Sequence, residues 1–236
     1  MKAQSFRYRG GVVRIADWHG RADVASLAVR GRGPLESAAV ERLLDRVRAA
    51  GYREVVTNAL APAATLPLVD AGFAVRGRLR VLVHDFTNLP EMSGRTRRAR
   101  RSERDAMLAA DQAAFDDFWH LDGDGLREAA RATPSSHLRV NRTPVRGNDD
   151  SGLVGYALFG RATVDGYVQR LAVRPEAQGH GLGAALVTDG LNWLRRRGVA
   201  RAYVNTQSDN DRAYALYERV GFQPLAVGLC VLGRTL

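Results

Sequence analysis

The stretch GYVQRLAVRPEAQGHGLGAALV, residues 166–187, combines a strand pattern, a proline and three spaced glycines in one short segment. Apolar and polar residues alternate before the proline, as they do in a strand, and the apolar residues after the glycines follow helical spacing. The first turn of a helix has unpaired N–H groups and the positive end of the helix dipole, and glycines let an anion approach that backbone closely. The segment therefore predicts a strand, a turn and a helix that together bind a phosphate-bearing ligand.

Two common phosphate-binding patterns do not fit this turn. It lacks the Gly-Lys-Ser/Thr ending of a P-loop. It is also not Gly-x-Gly-x-x-Gly, and no acidic residue closes a second strand to hold a ribose, as a dinucleotide site requires. On this segment alone, a plain tight turn is the remaining alternative.

Composition sets the broad class of the protein. The chain has 236 residues, 45% of them hydrophobic, which is enough for one large domain or two small ones. It has no apolar run long enough for a transmembrane helix, and the start, MKAQSFRYRGGVV, lacks the apolar core of a secretory signal. The single cysteine, Cys230, fits a reducing cytoplasm and is predicted to be a buried small hydrophobic residue rather than a nucleophile. No Cys/His cluster has metal-ligand spacing, so we expect no metal.

The formal net charge of +10 suits polyanionic partners. The densest basic run is RTRRARRSER, residues 95–104. Arginines of this kind contact nucleic-acid phosphates, but no aromatic residue interleaves them here. An exposed edge strand or linker explains the run more simply, so a nucleic-acid partner is the less favoured alternative.

The segment TNLPEMSGRT, residues 87–96, separates two halves that share one order of patterns. Each half has LAVR in a predicted strand and then an amphipathic helix, at 35–50 in the first half and 182–197 in the second. A strand, a short helix, Gly-Phe and two strands follow in both. Such a repeat indicates two copies of one supersecondary plan, with chance similarity as the alternative. The predicted domains are a degenerate partial copy at 1–88, a linker at 89–96 and a complete copy at 97–236.

The two copies are not equivalent. The first has RGRGPLE in place of the glutamine and glycines of the second. Aligned on Gly-Phe, Leu68 occupies the place of Tyr217, and Ala61 the place of Asn210. We therefore expect the first copy to be inactive and the second to carry the function.

In the second half, early strands and later crossovers predict a mixed α/β sheet. The predicted strands are an edge strand at 97–101, strands at 136–142, 153–161, 164–174 and 200–206, and two more near the C-terminus. The predicted helices are one capped by Ser102 and others at 124–131, 182–197 and 210–220.

Two motifs at matching separation carry a family resemblance. Gln178-x-x-Gly181-x-Gly183 resembles the acetyl-CoA signature Q/R-x-x-G-x-G/A of the GNAT acyltransferases, and it follows a strand that ends in LAVRP. The downstream pattern from Asn210 through Tyr217 to Gly-Phe is similar to the second hallmark of that superfamily. The resemblance covers residues 97–236. It implies an α/β GNAT fold, with a mostly antiparallel central sheet, splayed strands and flanking helices, preceded by a partial GNAT-like repeat as in tandem GNAT proteins.

The resemblance also implies the acetyl-CoA site. The backbone of Leu171 and Val173 is expected to pair with the pantetheine arm, and the backbone from Gly179 to Ala184 to take the pyrophosphate. Asn210 is expected to contact the cofactor from the other side and also to cap the helix that follows it. The residues implied for the cofactor are Leu171, Ala172, Val173, Gln178, Gly179, His180, Gly181, Leu182, Gly183, Ala184 and Asn210.

The implied reaction is direct transfer of an acetyl group to a primary amine in a ternary complex. Tyr217 stands where family members place the tyrosine that protonates the departing thiolate, although a core tyrosine is the alternative. Relatives place a glutamate that acts as the general base where this chain has Tyr167 or Asn205, and neither carboxylate is present here. The base is therefore left open between Tyr167, a water held by Asn205 or Gln169, a carboxylate from the first helix pair, and an acceptor that arrives neutral.

The acceptor pocket of this fold is lined partly by the connection FDDFWHLDGDG, residues 115–125. Its carboxylates, Asp122 among them, suit a cation, and Phe118 and Trp119 suit its apolar part; a capped helix end with aromatics in the core is the alternative. The expected acceptor is a small cationic amine, a protein N-terminus or a lysine side chain. We expect no membrane partner, and we expect the protein to be a monomer or a homodimer. A non-catalytic acyl-CoA sensor is a further alternative.

Overall fold

The computed structural model describes residues 4–31, 33, 35–91, 96–142 and 152–236. Its strands are β1 (Gln4–Tyr8), β2 (Gly11–Trp18), β3 (Arg21–Gly31), β4 (Glu54–Thr57), β5 (Ala74–His84), β6 (Arg97–Arg98), β7 (Ser135–Arg142), β8 (Leu153–Ala162), β9 (Asp165–Val173), β10 (Arg201–Gln207), β11 (Gln223–Pro224) and β12 (Leu229–Thr235). Its helices are α1 (Ser37–Ala49), α2 (Pro62–Asp70), α3 (Arg104–Ala114), α4 (Gly123–Arg131), α5 (Leu182–Arg195) and α6 (Asp211–Val220). In the described part of the chain, none of the helices has the length and apolar character that a membrane span requires.

The chain forms two compact units. The first contains the residues up to Val81 together with Thr206–Asp209 and Leu225–Leu236, and the second contains Leu82–Asn205 and Asn210–Pro224. Both have strands paired in a mixed sheet with helices packed against it, so the predicted α/β class is confirmed.

In the first unit, the strands follow the order β1-β2-β3-β4-β12-β5, with β3 and β4 parallel and the other pairs antiparallel. One face of α1 presents apolar residues at helical spacing, and these pack with the sheet and with α2. Leu27, Leu43, Leu44 and Leu232 are completely buried in this core.

In the second unit, the strands follow the order β10-β9-β8-β7-β6, and β11 pairs with the last residues of β5. The strands from β6 to β9 are antiparallel, whereas β9 and β10 are parallel. Helix α5 packs on one face of these strands, and α3 and α4 pack on the other. The strand β9 therefore lies between two layers of helix, and its carboxyl end leads into the glycine turn.

Most predicted elements of the second half are confirmed within a few residues, but the start of α3 is different. The strand β6 covers only Arg97–Arg98, and a 3₁₀ turn precedes α3, which begins at Arg104. The prediction that Ser102 caps this helix is wrong. Instead, the Glu103 carboxylate accepts hydrogen bonds from the backbone N–H of Arg100 (2.8 Å) and from the guanidinium of Arg97 (2.9 Å). A carboxylate with several charged and backbone donors holds the turn more strongly than a serine hydroxyl does.

The last strand was also predicted wrongly. The sequence assigned both final strands to the second half, but β12 pairs with β4 and β5 in the first unit, with Arg234 opposite Val55 and Leu229 opposite Leu79. After Gly-Phe the first half has the single strand β5, not two. Cys230 of β12 is half-buried. Apolar periodicity shows that a segment is a strand but does not identify its partner strand. The division of the sequence into copies at 1–88 and 97–236 stays a prediction.

Candidate active site

The site begins where β9 parts from β10. The parallel pairing runs from Asp165 opposite Arg201 to Val168 opposite Val204 and stops there, although β9 continues to Val173. On its other edge, β9 carries a bulge, because Arg170 and Val168 pair with adjacent residues of β8 and the intervening Gln169 has no partner in the ladder. The end of β9 therefore has an edge toward β10 that the sheet does not use.

The glycine turn follows this free strand end. Gly179 and Gly181 have φ values of 85° and 77°, a left-handed conformation that favours glycine. A Cβ atom at either position would meet nothing within 4 Å, so open space lies above the turn. Helix α5 starts immediately afterwards, and Gly181 at its N-cap supplies no side-chain hydrogen bond to its first N–H groups. These groups are the donors that a helix offers to an anion.

A cavity of about 330 Å³ lies over the turn, within the size range of small-molecule sites. The end of β9, the glycine turn, the first turn of α5, one face of α6 and the end of α3 form its walls. Its lining residues are Ala114, Phe115, Leu171, Val173, Ala177, Gln178, Gly179, Gly181, Leu182, Gly183, Ala184, Asn210, Arg212, Ala213, Leu216 and Arg219.

Nearly all residues predicted for the cofactor line this cavity. Asn210 also caps α6, since its side chain accepts from the backbone N–H of Ala213 (3.0 Å), so its predicted capping role is confirmed. Two predicted residues are not in the lining. The Ala172 side chain is buried on the opposite face of β9, in the core under α3, and His180 is exposed with its ring 3.0 Å from the Gln178 carbonyl oxygen.

Two arginines in the lining were missed by the sequence reasoning. Arg212 and Arg219 are seven residues apart on α6, and that spacing places both on the face that carries Leu216. The Arg212 guanidinium donates to Oε1 of Gln178, and Nε2 of Gln178 donates to the Val173 carbonyl (2.8 Å). The Gln178 amide therefore links the end of β9 to α6 at the cavity wall.

Tyr217 lies next to Leu216 on α6 but is only 5% exposed and is not in the cavity lining. Its ring packs against Phe222 with 5.5 Å between centroids. Burial raises the pKa of Tyr217 well above its usual value, and the nearby positive charge of Arg170 acts in the opposite direction. The hydroxyl is therefore protonated at neutral pH and lies within electrostatic reach of Arg170.

Tyr167 faces Tyr203 across the β9–β10 pair, with 6.0 Å between ring centroids. Burial, followed by the charge of Asp165, raises the pKa of Tyr167. A phenol with a raised pKa carries its proton at neutral pH, so Tyr167 is not available as a phenolate base. Asn205, further along β10, is exposed. Oε1 of Gln169 is buried and has no hydrogen-bond partner among the described residues.

Two carboxylates of the connection between α3 and α4, those of Asp116 and Asp122, are used in local structure. Asp116 accepts from the backbone N–H groups of Phe118 (3.0 Å) and Trp119 (2.9 Å), and Asp122 caps α4 by accepting from Gly125 N–H (2.6 Å). The rings of Phe118 and Trp119 meet edge to face at 4.9 Å. Of this connection, Phe115 lines the cavity, whereas Phe118, Trp119 and Asp122 do not.

A buried ion pair behind the cavity was also missed. Arg170 of β9 donates from Nη2 to Oδ1 of Asp111 (2.5 Å) and from Nε to Oδ2 (2.7 Å). The Tyr156 hydroxyl donates to the same carboxylate (2.6 Å), as does the Leu121 backbone N–H (2.6 Å). The sequence hints at this pair only through one charged residue on the buried face of α3, Asp111, and one in β9, Arg170. Across the described ranges, no cluster of three His, Cys, Asp or Glu side chains is arranged to hold a metal ion.

The Acetyltransferase (GNAT) family model matches residues 104–222, which is half of the chain. The chain is also similar to curated mycothiol acetyltransferases. It is 33% identical to that of Saccharomonospora viridis over 51% of this chain and 42% of the relative, and 50% identical to that of Beutenbergia cavernae over 26% and 21%. These matches span less than half the length of either relative.

Two solved structures show the same fold. A tandem GNAT protein from the clavulanic acid biosynthesis pathway has a TM-score of 0.66 at 14% identity, over 97% of this chain and 81% of that one. A GCN5-related N-acetyltransferase from Kribbella flavida has a TM-score of 0.65 at 18% identity, over 98% and 89%. At such low identity, the similarity concerns the fold alone.

Proposed function

The chain belongs to the GNAT acetyltransferase family, and we propose that it transfers an acetyl group from acetyl-CoA to a primary amine. The observation that carries the proposal is the cavity formed where β9 parts from β10, with the glycine turn at one wall and the α6 arginines at another. The relatives named mycothiol acetyltransferase favour a small-molecule amine as the acceptor.

The residues present fit acetyl-CoA. The N–H groups at the start of α5 and the guanidinium groups of Arg212 and Arg219 suit its phosphates, since both offer donors and positive charge. The unused edge of β9 at Leu171 and Val173 suits an amide-bearing arm, because an extended chain can pair with a free strand edge. The open space above Gly179 and Gly181 is where the anion would lie against the backbone.

Acetyl-CoA supplies a thioester, whose acyl carbon bonds to the amine nitrogen while the carbon–sulfur bond breaks. The proposed role of Tyr217 is to give its hydroxyl proton to the departing sulfur, and its raised pKa keeps that proton in place until then. The backbone at the β9 bulge would donate an N–H to the acyl oxygen, because Gln169 is left out of the ladder there.

No carboxylate stands at the positions of Tyr167 and Asn205, and Tyr167 is held as a neutral phenol. We therefore propose that the amine reacts in its neutral form and passes its proton to water. Presenting a lysine-like amine neutral at pH 7 costs roughly 4–5 kcal/mol. Correct orientation beside the thioester can supply several kcal/mol of the remaining barrier.

The first half is proposed to be a degenerate GNAT-like copy without its own cofactor turn. Its RGRGPLE segment and its Leu68 and Ala61 support this proposal. A cytoplasmic location, and a monomer or homodimer as the assembly, also stay predictions.

The decisive experiment is thermal unfolding with and without acetyl-CoA in two glycine variants. Gly179 and Gly198 both have positive φ and open space around a Cβ, but only Gly179 lines the cavity. Gly179→Asp and Gly198→Asp therefore share a backbone cost, and only the first places a negative charge against the phosphates. Saturation at about 100 times Kd adds roughly 2.7 kcal/mol to the native state.

We expect this stabilisation in the parent and in Gly198→Asp and its loss in Gly179→Asp. Thiol release in the presence of glucosamine, spermidine or a peptide with a free N-terminus then tests transfer. A folded parent that acetyl-CoA does not stabilise contradicts the proposal. Stabilisation without transfer to any amine supports an acyl-CoA sensor instead.

A further inference from the structure

The Asp111–Arg170 pair is the most deeply buried ion pair among the described residues that carry one. The side chain of Asp111 is fully buried, and that of Arg170 is 12% exposed. All four favourable positions around the Asp111 carboxylate are filled, by two guanidinium N–H groups, the Tyr156 hydroxyl and the Leu121 N–H. The carboxylate thus has no acceptor position left for a ligand.

Stability alone is a poor explanation for this pair. Removing two charges from water is costly, and apolar residues of similar volume often replace a buried ion pair with no loss of stability. A guanidinium differs from such residues in its fork of directed donors, which hold several groups in one fixed arrangement. The partners of Arg170 therefore indicate what the pair does.

Those partners belong to the connection between α3 and α4. Arg170 Nη2 also donates to the Trp119 carbonyl (2.8 Å), and the guanidinium carbon lies 3.6 Å from the centroid of the Phe115 ring. Through Asp111, the same pair holds the Leu121 N–H. Two points of this irregular segment therefore contact Arg170 of β9 directly, and a third is held by its partner Asp111.

Arg170 also lies at the reacting end of the proposed site. It directly follows the bulge at Gln169 and directly precedes Leu171, which lines the cavity with Phe115. Its positive charge acts on Tyr217 and opposes the effect of burial on that hydroxyl.

We propose that Arg170 is a positioning residue that holds the Phe115–Asp122 connection against β9 and thereby fixes the acceptor side of the site. The inference rests on the proposed function, because it assigns the acceptor side of that same site. It assigns the position of this segment to a side chain of the sheet beneath it, with Phe115 as the residue of the connection that lines the cavity.

The test compares Arg170 with a second buried arginine of the same unit. Arg139 of β7 pairs with Asp189 of α5 (2.7 Å), with side chains 19% and 6% exposed, on the other face of the sheet. The variants are Arg170→Lys, Arg170→Met, Arg139→Lys and Arg139→Met. Lysine keeps the charge but cannot reproduce the fork, so the lysine variants are informative even if a methionine variant does not fold.

Two measurements are made on all four variants. Amide hydrogen exchange follows the Leu121 N–H and its neighbours in the connection without any need for activity. Steady-state kinetics with acetyl-CoA and the best acceptor among glucosamine, spermidine and the free N-terminal peptide give the KM of the acceptor, kcat and the affinity for acetyl-CoA.

Arg170→Lys is expected to lose protection at 115–122 and to reduce acceptor kcat/KM by about 10- to 100-fold, as misplacement of a bound reactant does, with a smaller effect on acetyl-CoA affinity. Arg139→Lys is expected to lower global stability alone.

Equal protection of the connection in Arg170→Lys and the parent overturns the inference, whether or not transfer occurs. A loss of protection with unchanged acceptor kinetics also overturns it. Absence of transfer in the parent contradicts the proposed function instead, and the exchange data still decide whether Arg170 holds the segment.

Discussion

Gly183, in the first turn of α5, faces Leu216 of α6 so closely that a Cβ atom on Gly183 would lie 2.8 Å from Cδ1 of Leu216. Both residues line the cavity, so the narrow gap between the two helices is part of the proposed cofactor site. Gly183 is therefore required because a side chain there would fill the space between the two helices. Gly179 and Gly181 are required because their backbone has a positive φ.

Enlarging Gly183 is expected to close the site in steps. Gly183→Ala needs only a small shift of the Leu216 methyl group, so the affinity for acetyl-CoA should fall by less than about tenfold, within the cost of mild overpacking. Gly183→Val fills the gap and is expected to abolish binding. Isothermal titration with acetyl-CoA measures both. Equal affinity in the valine variant and the parent would place the cofactor elsewhere.

The α6 arginines are expected to contribute to acetyl-CoA affinity through charge. Arg212→Gln and Arg219→Gln should each weaken binding about 5- to 20-fold, as the loss of a charge-assisted hydrogen bond does. The salt dependence of binding should also decrease. Arg196→Gln, at an exposed position after α5, is the control and should have no effect. If all three variants bind alike, the arginines do not contact the phosphates.

Tyr217→Phe tests the proposed proton donor. The change preserves the buried ring, so acetyl-CoA affinity should stay the same while kcat falls by roughly 10²–10⁴-fold, the usual contribution of a general acid. Tyr52→Phe in the first unit serves as control. The Tyr52 hydroxyl donates to Asp17 (2.7 Å), and both residues are distant in sequence from the residues proposed for the reaction. The control variant should lose about 1 kcal/mol of stability and no activity. Full activity in Tyr217→Phe would assign the tyrosine to the core alone.

The pH dependence of transfer is expected to follow the pKa of the acceptor amine, because Tyr167 and Asn205 supply no carboxylate base. Below the pKa of the amine, kcat/KM should rise about tenfold per pH unit, as only the neutral fraction reacts. Two acceptors with different pKa values should then give inflections at different pH. An inflection at one common pH would reveal a protein base.

The Glu103 carboxylate is expected to make the free energy of unfolding depend on pH in the acid range. Hydrogen bonds from Arg97, together with those from Arg100 N–H and Arg142, outweigh burial and lower the pKa of Glu103 from 4.5 to about 2. A folded pKa below the unfolded one stabilises the protein above the unfolded pKa, and this stabilisation is lost as pH falls toward the folded pKa. The stability difference between the parent and Glu103→Gln should therefore be largest at neutral pH and shrink between about pH 4.5 and 2.

Urea unfolding at several pH values measures this difference. Asp45→Asn is the matched control, because Asp45 forms an exposed pair with Arg48 and contributes little. A difference that stays constant from pH 7 to pH 3 would show that the Glu103 carboxylate is not the titrating group.

Part of the site follows from local sequence. The glycines of the turn, the start of α5 and the Asn210 cap of α6 each depend on residues within a few positions of one another, and the structure brings them to one cavity. Spacing of seven on α6 would also have revealed Arg212 and Arg219 as a pair on one face. These features can be predicted from the sequence because helix and turn geometry fix the relative positions of residues that are close in sequence.

Other features depend on contacts that no local pattern encodes. The partners Asp111 and Arg170 are 59 residues apart, and β12 pairs in the first unit although it follows the second half in sequence. The sequence by itself determined the strand–turn–helix and the unpaired N–H groups at the start of α5, since backbone geometry and glycine conformation are local properties. Only the tertiary structure decided the strand partners, the buried Arg170 fork and the burial of Tyr217, because hydrogen-bond partners and desolvation depend on which distant segments pack together.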